Sequence, residues 1–151
     1  MIKIVTQKID TNAVLESVHT EDCGAAVLFV GTTRRMTDGR ETTKLNYECY
    51  EEMAIRKMEE LSDQAKSTWP VDGVSVVHRV GTVALGEASI AIAVSSAHRH
   101  ASFAAAEWLI DEIKKQVPIW KQEFWADGVT EWVHPEGATP TSIRATEKAK
   151  S

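Results

Sequence analysis

Apolar and polar positions alternate along this chain with two distinct periods. Ala54, Met58, Leu61 and Ala65 recur at helical spacing with charged residues between them, which predicts a helix over 51–68. Pro70 stops it. Leu45, Tyr47 and Cys49 instead alternate with Asn46, Glu48 and Tyr50, which predicts a strand over 44–50. GAAVLFVG, residues 24–31, is a continuous apolar run between glycines and reads as a buried central strand. Residues 2–6, 73–80 and 88–97 also read as strands, the last two joined across Gly81 and Gly86. Asp10 or Thr11 caps a short helix reaching about His19. A second long helix runs from about His100 to Gln116, with Phe103, Ala106, Ile110, Ile113 and Val117 on its apolar face, and ends before Pro118. Residues 119–125 alternate again and pair with 129–133 across Asp127-Gly128. The segment TTRRMTDGRETT has no apolar period and reads as a functional loop.

Helices interspersed with strands in hairpin-like pairs predict an α+β sandwich. One domain is expected over residues 1–136, and the polar stretch 137–151 is expected to be disordered.

Charge narrows the function. The formal net charge is -5, which argues against nucleic acid as a main partner. Neither Cys23 nor Cys49 sits in a CxxC pair, and both read as small buried apolar residues. The N-terminus has no long apolar segment and no run is long enough to span a bilayer, so a cytoplasmic protein without membrane contact is expected. His98, His100 and His78 lack a supporting carboxylate spacing, so no metal is expected.

Against this acidic background, residues 95–123 gather two histidines, an arginine and three lysines. Lys114 lies at the border of the second helix's apolar stripe. It is either a snorkelling side chain or a partly desolvated amine, which burial would prepare for nucleophilic or base chemistry. Period two puts Ile119, Lys121, Glu123 and Trp125 on one strand face, so Glu123 can orient the Lys121 ammonium or merely pair with it in solvent. His98 and Arg99 open a helix, where free N–H groups favour anions. Thr32, Thr33 and Arg34 leave the end of a strand. Together these predict a small-molecule anion site.

Five segments carry a resemblance: GAAVLFVGTTR, LNYECYEEMA, HRVGTVALGE, SSAHRHASFAA and KKQVPIWKQE, covering about residues 24–123. The chain resembles the large, catalytic subunit of molybdopterin synthase, the MoaE family. That resemblance implies an α/β hammerhead with an added small β subdomain. It implies a sulfurtransferase that converts cyclic pyranopterin monophosphate into the molybdopterin dithiolene during molybdenum cofactor biosynthesis. Sulfur arrives as the C-terminal thiocarboxylate of a small ubiquitin-like partner of the MoaD type, and the large subunit is a homodimer within a heterotetramer. The essential lysine falls on Lys114 and the second active-site lysine on Lys121. Lys115 competes with Lys114, which is preferred because it lies seven before Lys121 as in the family. Substrate contacts fall on Thr32, Thr33, Arg34, His98 and Arg99, and Gln122 and Glu123 belong to the same site segment. No metal or organic cofactor is implied.

Two departures stand out. Some family members carry an arginine soon after the Trp-Val pair, whereas Trp132-Val133 is followed here by His134-Pro135-Glu136. FWADGVTEW is longer than its counterparts. Trp120, Trp125 and Trp132, three of five tryptophans, cluster in the C-terminal β region and are expected to anchor an interface. Two other functions fit the basic cluster without the resemblance: a phosphate-binding transferase or lyase using Lys114 as a Schiff-base amine, and a non-enzymatic module that docks an acidic protein.

Overall fold

A computed structural model describes residues 1–133 of the chain. The tail expected to be disordered and the His134-Pro135-Glu136 departure lie outside the described residues. Twelve elements follow one another: β1 (Ile2–Val5), α1 (Thr11–Glu16), β2 (Ala25–Thr32), β3 (Met36–Thr37), β4 (Arg40–Cys49), α2 (Glu51–Thr68), β5 (Val71–Arg79), β6 (Gly81–Ala84), β7 (Ala88–Ser96), α3 (Arg99–Gln116), β8 (Ile119–Trp125) and β9 (Thr130–Val133). The fold is α+β and has two sheets.

The first sheet has the order β1-β5-β7-β2. Only β1 and β5 run parallel; β7 is antiparallel to both its neighbours. Strands β5 and β7 are buried on both faces. Val74, Val76, Ile90, Ile92 and Val94 pack towards α2 and α3, while Val77, Ala91 and Ala93 pack towards Val14 and Val18 around α1. Two-sided burial explains their near-continuous apolar sequence. Each fully buried Ile or Leu here contributes about 1.5–3 kcal/mol relative to exposure. The apolar run of β2, by contrast, lies at the sheet edge and is half-buried, not central. An apolar run reports burial but cannot say which strands flank it.

The second sheet has the order β3-β4-β8-β9, with β6 also pairing β4. β6 is the connection between β5 and β7. Gly81 (φ 88°) opens it and Gly86 (φ 79°) follows it, and the strand pairs with Lys44–Tyr47, linking the two sheets. Glu87 holds the return: its carboxylate accepts the Ala84 N–H at 3.0 Å and pairs with Lys8 and Arg79. Part of the expected functional loop is a hairpin. Met36–Thr37 pair with Arg40–Glu41 across Asp38 (φ 50°) and Gly39 (φ 78°), the left-handed pair that a tight two-residue turn requires.

Helix α1 ends at Glu16, three residues earlier than expected, and Asp10 is its cap, accepting the Ala13 N–H at 3.0 Å. Helix α3 is rotated relative to the expected phase. Ser102, Ala105, Ala106, Leu109 and Ile113 are buried, while Phe103 is 60% exposed. The small residues seat the helix closely on β7, and the bulkier Phe103 is left outside. Cys23 and Cys49 are free and half-buried, and the Cys23 thiol donates to Asp72. Among the described residues no helix is long and apolar enough to cross a membrane.

Candidate active site

Where the C-terminal end of α3 meets both sheets, the packing leaves a cavity of about 410 Å³. The first sheet supplies Phe29, Gly31, His78 and Ile90, followed by Thr32, Thr33 and Arg34 at the end of β2. Helix α3 supplies Ile110, Ile113 and Lys114. The second sheet supplies Thr42, Leu45, Tyr47, Ile119, Lys121 and Glu123. Pro118 turns the chain from α3 directly into β8, so Lys114 and Lys121 reach the same space from two elements.

Lys121 and Glu123 share one face of β8, as period two requires, and Lys121 Nζ lies 3.1 Å from Glu123 Oε1. Glu123 is 4% exposed, and its other oxygen accepts a hydrogen bond from Thr42 Oγ1 at 3.2 Å. This is therefore not a solvent pair. A buried carboxylate with both oxygens engaged fixes the ammonium beside it. Lys114 is exposed at the rim and makes no ion pair with any described residue, so in the single chain its side chain is solvated. Lys115 points elsewhere and pairs with Glu112 at 3.4 Å. Thr33 is buried against the cavity and its hydroxyl has no partner among the described residues.

Three expected residues are not in this cavity. Gln122 lies on the opposite face of β8, where it is registered against Trp132. His98 and Arg99 line a separate shallow cleft with Gly24, Ala97 and His100, at the N-terminal end of α3. Fifteen residues of helix separate Arg99 from Lys114, about 22 Å at the α-helical rise. One chain therefore does not bring the two groups to one small ligand. Trp125 is no interface anchor either: it is buried, with the Arg40 guanidinium 4.1 Å above its ring. Among the described residues the exposed large apolar side chains are Met1, Met36, Tyr50, Met53, Phe103 and Val129. No group of three or more metal-ligating side chains is assembled among the described residues.

The sequence profile of the MoaE protein family matches residues 4–116. The chain belongs to the MoaE family. A molybdopterin synthase catalytic subunit from Culex quinquefasciatus is 44% identical over 134 residues, spanning 87% of this chain and 85% of that one. The molybdopterin synthase catalytic subunit of Bacillus subtilis (strain 168) is 38% identical over 131 residues, 87% of this chain and 83% of its own length. Among solved structures, molybdopterin synthase from Staphylococcus aureus superposes with a TM-score of 0.81 at 40% identity, covering 85% of this chain and 93% of that one. A complex of subunits 1 and 2 of the molybdopterin-converting factor from Helicobacter pylori 26695 gives a TM-score of 0.69 at 25% identity, covering 83% and 86%.

Tyr47 and His78 also line the cavity of this MoaE chain, although the sequence carries no substrate-binding signal at either. Tyr47 is an inward position of an alternating strand, which resembles any core position. His78 reads as a satisfied core or surface histidine, and it is indeed 6% exposed. Its ring nevertheless lines the cavity, edge-on to Tyr47 with centroids 5.1 Å apart.

Proposed function

We propose that this chain is the catalytic subunit of a molybdopterin synthase, a sulfurtransferase that builds the dithiolene of molybdopterin from cyclic pyranopterin monophosphate. The observation that carries this reading is the convergence of Lys114 and the Glu123-anchored Lys121 on one cavity beside Thr32, Thr33 and Arg34. Sulfur leaves the terminal thiocarboxylate of a small ubiquitin-like partner, and water returns that acyl group to a carboxylate. Negative charge develops on oxygen and sulfur at each transfer. Two ammonium groups at the cavity stabilise it, and the unpaired Lys114 also moves protons. Arg34 and the adjacent threonines hold the phosphate.

His98 and Arg99 enter the same reading through a second copy of the chain. With about 22 Å of helix between Arg99 and Lys114, a phosphate contact from the α3 N-terminus reaches the lysine cavity only from a partner subunit. A homodimer, with one small sulfur-carrier subunit per copy, satisfies both requirements.

The test is reconstitution. Purified chain, a thiocarboxylated ubiquitin-like partner and the cyclic pterin should yield dithiolene product, whereas the same mixture with an ordinary carboxylate on the partner should not. A complete mixture that leaves the pterin unchanged would rule the assignment out.

A further inference from the structure

The charged groups of the lysine cavity are mostly donors, and its hydroxyls, on Thr32, Thr33, Thr37 and Tyr47, both donate and accept. Lys114, Lys121 and Arg34 only donate. Glu123 already receives Lys121 and Thr42. The Ser89 hydroxyl donates to the Gly31 carbonyl at 3.3 Å. Such a wall suits a phosphate or a developing oxyanion. It does not by itself suit a nitrogen heterocycle, which carries N–H groups that must be satisfied on burial.

His78 differs from every other side chain around the cavity. Its Nδ1 lies 2.8 Å from the carbonyl oxygen of Arg79. A carbonyl only accepts, so Nδ1 carries the proton and Nε2 keeps its lone pair. Nε2 has no hydrogen-bond partner among the described residues, although the ring lines the cavity. Burial holds the imidazole pKa down at about 4, so the ring is neutral at physiological pH and Nε2 stays an acceptor. The ring is also held in place. Tyr47 packs edge-on against it at 71°, and Tyr47 stands directly opposite Lys121 in the β4–β8 register. Tyr47 thus neighbours both the imidazole and the strand position of the anchored Lys121, and all three line the cavity.

We propose that His78 is a substrate-binding residue whose Nε2 accepts a hydrogen bond from a ring N–H or O–H donor of the bound pterin, while the basic residues hold the phosphate. The inference rests on the synthase reading and adds a contact that selects for the heterocycle. An anionic ligand without a ring donor on that side would gain nothing from it. Hydroxyls both donate and accept, so they discriminate less; an imidazole with its tautomer fixed by the backbone accepts only.

Calorimetric titration of the cyclic pterin monophosphate into wild type, His78→Leu and His78→Gln separates the outcomes, with inorganic phosphate as a second ligand. His78→Leu should bind the pterin on the order of tenfold or more weakly, as expected for loss of one buried hydrogen bond. His78→Gln, whose side-chain carbonyl can reach the Nε2 position, should recover most of that loss. Phosphate affinity should be the same in all three, and KM should rise far more than kcat falls. Wild-type pterin affinity in a folded His78→Leu protein would overturn the proposal and leave the synthase reading standing, as would an equal loss of phosphate binding. Failure of the wild type to bind the pterin would overturn both. Should His78→Leu not fold, ¹⁵N spectra of the wild-type ring decide: Nε2 should shift upfield when pterin is added, and an unmoved Nε2 resonance at saturating pterin would refute the contact.

Discussion

Lys121 Nζ and Glu123 Oε1 lie 3.1 Å apart on the same face of β8, with the carboxylate almost fully buried and the lysine side chain 27% exposed. The lysine thus reaches the cavity from a fixed base, and its position depends on Glu123. Glu123→Gln keeps the shape and removes the charge. It should cost about 1–2 kcal/mol of stability through weakened hydrogen bonds to Lys121 and Thr42. Turnover should fall more than pterin affinity. Chemical denaturation and steady-state kinetics check both; a variant with full kcat would mean that Lys121 needs no anchoring.

Lys114 is exposed and unpaired with any described residue, so its removal should hardly disturb the fold. Lys114→Ala should change stability by less than about 0.5 kcal/mol and reduce kcat by about 10²–10³. Lys115→Ala loses only an exposed pair with Glu112 and should retain wild-type kinetics. Equal rates for the two variants in single-turnover assays would remove Lys114 from the chemistry.

The two ends of α3 make the assembly testable. Lys114→Ala and Arg99→Ala should each be inactive alone. In an equal mixture after subunit exchange, half the dimers are mixed, and each carries one site with both native residues. Activity should then return to about one quarter of wild type, as twofold symmetry requires. Light scattering should give twice the chain mass. No recovery from a mixture in which exchange is demonstrated would place both residues' roles within single chains.

His78 also couples folding to pH. Its pKa of about 4 in the folded chain lies below the ordinary 6.5, so between those values the unfolded chain binds a proton that the folded chain does not. Stability from this residue is therefore present above about pH 6.5, is lost as pH falls towards 4, and changes no further below that. The total is about 3 kcal/mol. Denaturation midpoints measured across this window should show a steeper acid loss in wild type than in His78→Gln. Parallel profiles would contradict the buried, neutral state.

Gly31 forms part of the cavity wall in the row Gly31–Ile90–His78 across three strands. A Cβ there would lie 2.8 Å from Ile90 Cγ2. Gly31→Ala should cost about 1–3 kcal/mol by overpacking and raise KM for the pterin. Ile90→Ala creates the missing space, so the double variant should be more stable than the sum of the single losses predicts. Strict additivity would show that the strand relieves the contact by moving.

The sequence by itself determined what depends on neighbours along the chain. The span of α2 follows from apolar spacing and Pro70. The shared face of Lys121 and Glu123 follows from the two-residue period of any strand. The proximity of Lys114 to β8 follows from the Pro118 turn. Strand order and packing phase are not local, and only the tertiary structure decided them. Residues 25–32 form an edge strand because β7 pairs with β5 on its other side. The connection through β6 joins the second sheet because Lys44–Tyr47 offered an open edge. Helix α3 buries Leu109 and leaves Phe103 outside because small residues let it approach β7 more closely. Residues 32–43 read as a loop because the two-residue strand before Asp38-Gly39 is too short to show a period, although the Asp-Gly pair is the same turn signal as Asp127-Gly128. His78 shows the difference most clearly. In sequence it is one histidine at the end of an apolar strand. Its neutral form, its tautomer and its place beside Tyr47 and Lys121 arise only when β5, β4 and β8 close around the same space.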